Sequence, residues 1–282
     1  MKIGIHTYAW GNHFGNDTLY IIDSCKKIGM DFIEIPLMEI DKFDPVTVKD
    51  YLDGALEPTC STVIPNRNWD IGSDDPEQRK AGIAFLRNCI EKTAAVGGKM
   101  FSGMGYVLPH KAVNPGPASE QEWEYCTAAY KNIAKYAQDF GITVGVEPAS
   151  RFANHLVNTA DQALKFLDMV DEPNVIIHFD SFHMVYEERD FDAAFKKVGN
   201  KLGYFHMCGN DRGKPGDDDI IDWDGVFESF KAIGFDGYVG FEGFDMTCDN
   251  IYRDIIGNAD QFAKDSYDYC CKMMDKHGFK RG

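Results

Sequence analysis

Four residues in the second half of the chain, Glu147, Asp180, His206 and Glu242, have types and spacing that suit metal-assisted chemistry. Three of them close short apolar runs, Ile142 to Val146, Val175 to Phe179 and Gly237 to Phe241, and the run Leu202 to Met207 carries His206 near its end. Three carboxylates and an imidazole gathered in one partly buried place would leave like charges unneutralised without a cation. The set suits a hard or borderline divalent ion, Mn²⁺, Mg²⁺ or Co²⁺, with open positions for the oxygens of a bound molecule. A structural zinc site would use cysteines. The 8 cysteines show no CxxC or other paired spacing and read as reduced thiols. A divalent ion flanked by two glutamates is equipped for proton abstraction beside a carbonyl, one carboxylate taking the proton and the other returning one from the opposite face. The same parts, differently disposed, would activate a water for hydrolysis.

The elements that must position these residues follow from the apolar runs. Between Glu147 and Asp180, Asn158-Thr-Ala leads into a helix over Gln162 to Val170, so the stretch reads as strand, helix, strand. Parallel strands joined by a crossover helix point the same way, which places Glu147 and Asp180 side by side at the carboxyl edge of one sheet. Earlier strands are expected over Lys2 to Ala9, Asp31 to Leu37 with Glu34 in an apolar context, Leu56 to Ile64, and Lys99 to Gly103. Helices are expected over Thr18 to Ile28 before the cap Gly29, from Asp44-Pro45, from Asp75-Pro76 to Val96, and from Ser119 to Phe140, with Glu122 at capping-box spacing from Ser119. Further helices are expected over Asp190 to Val198, Trp223 to Ile233 and Asn250 to His277. A Gly- and Pro-rich loop runs from Gly105 to Pro117. Eight strands alternating with eight helices give an α/β fold, a closed (β/α)8 TIM barrel of parallel strands with outer helices. The chemistry of such barrels is placed at the carboxyl ends of the strands.

The totals agree with one barrel domain over residues 1–282, since such barrels commonly run to about 250 residues. A net charge of −16 with no basic patch argues against nucleic acid or an anionic membrane as partner. The N-terminus is apolar for too few residues to be a signal peptide, and no run approaches the roughly 20 apolar residues of a membrane span. A cytoplasmic location is expected.

At this point the residues match a known family. The chain resembles the ketose 3-epimerases, the D-tagatose and D-allulose (psicose) 3-epimerase group within the xylose-isomerase-like barrels. The likeness runs from Gly4-Ile-His-Thr-Tyr-Ala-Trp10 through Glu147, Arg151-Phe152 and Asn158-Thr-Ala160 to Asp180-Ser-Phe-His183-Met184. It continues through His206, Asp211-Arg212-Gly213, Ile233 to Gly237, Glu242 and Arg253-Asp254. The resemblance implies that Glu147, Asp180, His206 and Glu242 ligate the metal, with Mn²⁺ the first expectation, and that Glu147 and Glu242 exchange the proton at carbon 3 of a ketose. It implies that His183 and Arg212 hold the sugar near its carbonyl end, and that the protein is a homodimer or homotetramer. Two positions depart from the family pattern: Ala153 stands where a Glu is common, and His6, a further substrate-binding candidate, stands where an aromatic residue is usual. The expected reaction is 3-epimerisation of a free ketose such as D-tagatose, D-fructose, D-allulose or L-ribulose through a cis-enediolate. The alternatives are a related sugar isomerase, or an enolising epimerase or decarboxylase acting on an oxidised, branched or phosphorylated sugar.

Overall fold

A computed structural model describes residues 1–111, 116–249 and 251–280. Eight strands, β1 (Lys2–His6), β2 (Phe32–Pro36), β3 (Glu57–Ser61), β4 (Met100–Ser102), β5 (Thr143–Val146), β6 (Val175–Asp180), β7 (Leu202–His206) and β8 (Tyr238–Phe241), pair in chain order. Every pairing is parallel, and β8 closes back onto β1. The result is the expected (β/α)8 barrel.

Nine α-helices are found among the described residues: α1 (Tyr20–Ile28), α2 (Pro45–Leu52), α3 (Pro76–Val96), α4 (Glu120–Gln138), α5 (Ala160–Val170), α6 (Ser181–Glu187), α7 (Phe191–Val198), α8 (Trp223–Ile233) and α9 (Ala259–His277). Their ends follow the local chemistry. Asp44 and Asp75 cap α2 and α3 ahead of a proline, Gly29 and Gly97 end α1 and α3 in the left-handed region, and Thr159 with Gln162 forms a full capping box on α5. At α4 only half of the expected box forms. Ser119 accepts from the Glu122 amide, but the Glu122 carboxylate is drawn to Lys111 instead.

Three sequence expectations are corrected. The chain has one helix more than expected, α6, because Asp180 accepts a hydrogen bond from the Phe182 amide and so caps a turn directly after β6. The first strand stops at His6 and passes into a short 3-10 turn over Thr7–Ala9. The closing helix begins only at Ala259, capped by Asn258; Asn250, its expected start, lies outside the described residues, as do residues 112–115 of the loop expected from Gly105 to Pro117.

The main apolar core fills the layer between strands and helices, with Ile5, Ile33, Ile35, Val144, Ile177, Phe205 and Phe241 facing the inner helix faces. Inside the barrel the packing is different. A small separate cluster, Phe32, Met100 and Tyr204 with Ile176 and Tyr238 against it, forms a floor. Two residues further along several strands the interior turns polar, with Glu34 on β2, Ser102 on β4, His178 on β6 and His206 on β7 all buried. Gly145 permits this crowding, since a Cβ there would lie 2.1 Å from the Ser102 hydroxyl.

Candidate metal centre and active site

The last inward positions of four strands meet at the carboxyl end of the barrel. One ligand atom from each of Glu147, Asp180, His206 and Glu242 lies within 4.8 Å of the others, and all four residues are buried. Asp180 and His206 are register partners on adjacent strands, as are His206 and Gly240, two residues before Glu242.

The electrostatics are those of a site holding more negative charge than its own residues neutralise. Burial and the neighbouring Glu242 and Asp180 carboxylates push Glu147 well above the ordinary carboxylate range. Glu242 is raised by burial to about 7, although Arg212 and His206 pull it the other way. Burial opposes ionisation of Asp180 too, but there the Arg212 guanidinium wins and holds the carboxyl well below its usual range. Asp180 and Glu242 thus titrate far apart although Arg212 Nη1 touches both, because the balance between burial and the surrounding charges differs at each.

The residues fit a divalent ion on two counts. Nδ1 of His206 is buried without a hydrogen-bond partner among the described residues and faces Asp180 Oδ2 and Glu242 Oε2, 3.6 Å from each. The donor set, three carboxylates and one imidazole, offers no thiolate and suits ions that prefer oxygen.

Around the cluster stand the residues expected to hold a sugar. Arg212 has φ of +69°, a left-handed backbone uncommon for a non-glycine residue, and its side chain lies over the mouth. Nη1 donates to Asp180 and to Glu242, Nη2 lies 3.2 Å from His183 Nε2, and the guanidinium stacks on Phe182. His183 enters on α6, and burial lowers its pKa to about 3, so the ring is neutral. The Ser150 amide at Nδ1 and the Arg212 guanidinium at Nε2 are both donors, so the neutral ring accepts from only one of them, and Nε2 lies 3.8 Å from Glu147 Oε1. His6 lies beside the cluster with ring centroids 6.4 Å from His206 and 6.2 Å from Phe244. Burial lowers His6 to about 4, and its Nδ1 accepts from the Tyr8 amide. All seven candidate residues therefore converge on one mouth.

Sequence reasoning passed over a supporting set. Glu34 receives His206 Nε2 at 2.8 Å and the Tyr204 hydroxyl; Ser102 Oγ meets His178 Nδ1 at 2.8 Å; and the Tyr106 hydroxyl donates to the Glu147 carbonyl at 2.7 Å. The sequence shows Glu34 as a carboxylate between Ile33 and Ile35 in an apolar strand, but that signal by itself assigns it no role. Ala153 contributes its carbonyl to the His110 amide, which ties the loop after β4 to the loop after β5.

Comparison with known proteins agrees with this geometry. Residues 22–272 match the model of the xylose isomerase-like TIM barrel family. A ketose 3-epimerase of Arthrobacter globiformis is 33% identical over 88% of this chain and 85% of its own. An L-ribulose 3-epimerase of a Methylomonas species is 29% identical over 95% of this chain and 98% of its own. The crystal structure of a Methylomonas D-allulose 3-epimerase in complex with D-allulose superposes with a TM-score of 0.91 at 28% identity, covering 97% of each chain. The chain belongs to the xylose isomerase-like TIM barrels and, within them, to the ketose 3-epimerases.

Proposed function

We propose that the protein interconverts free ketoses that are epimers at carbon 3, and that Glu147 and Glu242 are its two proton-transfer groups. The observation that carries this is their joint presence in one buried cluster with Asp180 and His206. Glu147, Asp180, His206 and Glu242 would hold a divalent ion, Mn²⁺ by the oxygen-rich donor set, with Mg²⁺ or Co²⁺ as the other fits. Such an ion would polarise the C2 carbonyl and its neighbouring hydroxyl.

The remaining steps belong to the protein's own groups. One glutamate takes the proton from carbon 3, the C–H electron pair becomes the C2–C3 double bond, and the carbonyl oxygen carries the charge of the cis-enediolate. The other, protonated, glutamate returns a proton to the opposite face of carbon 3, and the carbonyl reforms. No net oxidation occurs. Raised carboxyl pKa values, about 7 for Glu242, suit groups that must accept and give protons near neutrality. Arg212 supplies donors for the oxygens near the carbonyl, His183 stands beside it, and His6 closes the side of the mouth next to Phe244.

Sugars of the D-tagatose, D-fructose, D-allulose and L-ribulose type are the substrates this reading favours, in line with the names of the relatives. Eight cysteines, all buried, suit a reducing cytoplasm. An exposed aromatic pair beside the mouth, Phe152 and Tyr186 at 5.7 Å, suits a homodimer or homotetramer contact of one barrel domain over 1–282.

The test is turnover of a ketose panel by metal-stripped protein with and without Mn²⁺, followed by proton NMR in heavy water. Metal-dependent exchange at carbon 3 with appearance of a new diastereomer is expected. Absence of exchange on every free ketose, despite cation binding, would overturn the substrate assignment in favour of oxidised, branched or phosphorylated sugars.

A further inference from the structure

Glu34 is a costly residue where it stands. It sits mid-strand between two isoleucines, is 1% exposed, and leaves Oε1 without a hydrogen-bond partner among the described residues. An apolar side chain would fill this interior without the desolvation penalty of a carboxylate. Its other oxygen is fully used: Oε2 accepts from His206 Nε2 at 2.8 Å and from the Tyr204 hydroxyl, which itself lies 3.5 Å from the Thr59 hydroxyl. Glu34 is no member of the four-residue cluster, so its influence passes through His206.

The direction of that influence follows from donor and acceptor rules. An ionised carboxylate only accepts, so the contact places the proton of a neutral His206 ring on Nε2. The lone pair then lies on Nδ1, the atom that faces Asp180 and Glu242. An imidazole that ligates through one nitrogen and donates from the other to a carboxylate is fixed in orientation and made more basic. We propose that Glu34, held by Tyr204, is a positioning residue that locks His206 in the tautomer and orientation in which Nδ1 is presented to a divalent cation. This rests on reading the four-residue cluster as a cation site.

The experiment titrates Mn²⁺ calorimetrically into metal-stripped wild-type protein and into Glu34→Gln, Glu34→Asp and Tyr204→Phe. In parallel, two-bond proton–nitrogen spectra of the Zn²⁺-loaded proteins with ¹⁵N-labelled histidines read the His206 tautomer. Glu34→Gln is expected to weaken Mn²⁺ binding by about 10–100-fold and to lose the single Nε2–H state. Glu34→Asp should recover part of the affinity, and Tyr204→Phe should lose less than Glu34→Gln.

A folded Glu34→Gln protein with wild-type affinity and an unchanged tautomer overturns the proposal. If Glu34→Gln does not fold, Tyr204→Phe decides: unchanged affinity and tautomer there would assign Glu34 to folding alone. If wild-type protein binds no Mn²⁺, the cation-site reading itself fails and the proposal falls with it, a result distinct from failure of the variants only.

Discussion

The two ends of the barrel interior are built on opposite principles. At the floor, Phe32, Met100, Tyr204, Ile176 and Tyr238 pack as an apolar plug, and the polar groups nearby are matched, Lys2 and Tyr238 both donating to Glu57. At the mouth, three acids and Arg212 share a buried space in which Glu147 and Glu242 are pushed away from their ordinary titration range. The floor is optimised for stability, whereas the mouth stores unfavourable electrostatics that a cation and substrate would relieve. Tyr204 joins the two: its ring stacks in the floor against Tyr238, and its hydroxyl reaches up to Glu34. Stability and activity should therefore respond separately to changes at the two ends, and four experiments probe the separation.

The largest effect is expected at the mouth. Glu147→Gln and Glu242→Gln each preserve shape while removing a proton-transfer group, so turnover should fall by about 10²–10⁴-fold. Melting temperature without metal should hold or rise, because a buried acid with an unfavourable charge has been removed. Ketose assays beside calorimetric melts check both halves. A large fall in melting temperature would place these carboxylates among the structural groups.

Next comes the floor. Met100→Ala removes most of a side chain that is 4% exposed in the plug and should destabilise the fold by about 2–5 kcal/mol. Mn²⁺ affinity should stay at the wild-type value. Urea unfolding paired with Mn²⁺ titration tests this, and a parallel loss of cation affinity would mean that the two ends are one unit.

The pH response should be confined to the mouth. Glu242, raised to about 7, is protonated below that pH and must lose its proton to ligate a cation. Cation affinity should therefore fall as pH drops through 7, by about tenfold per unit for each proton displaced, and binding should release protons. Calorimetry at pH 6 in two buffers of different ionisation enthalpy reads the proton count. A buffer-independent enthalpy would contradict the raised carboxyl.

The same contrast explains what was legible in the sequence. Strand ends and caps are local events: an apolar run closed by an acid, Asp44-Pro45, or Gly29 after a helical stretch can be read from a few neighbours. Glu147, Asp180, His206 and Glu242 were legible because each stands at or near the end of its own run, and the barrel rule then brings them together. Glu34 and His206 are separated by 172 positions, and Tyr106 and Glu147 by 41. Such contacts depend on barrel closure and on which residues face inward, and no local pattern encodes them. The missed α6 has a different cause. Asp180 ends a strand, caps a helix and stands in the four-residue cluster, and its place as a strand end hides the cap it also makes.

The smallest effect should come from the wall that supports the mouth. Tyr106→Phe removes the donor to the Glu147 carbonyl and the oxygen that accepts from Asn154 Nδ2, while Asn154 keeps its bond to the Val157 carbonyl. The Glu147 carbonyl, and the more distant Val157 carbonyl at 3.3 Å, lose their shared tyrosine donor, so the expected cost is about 1–2 kcal/mol, with a loss of kcat of a few fold and little change in KM. Combined with Met100→Ala, the two destabilisations should add to within about 0.5 kcal/mol, because among the described residues the Met100 side chain and the Tyr106 hydroxyl share no hydrogen-bond partner. Urea unfolding of both single variants and the double variant supplies the cycle. A coupling clearly above that margin would show that strain at the floor reaches Glu147 through β5, and the mouth would then owe its geometry to the plug beneath it as well as to its own loops.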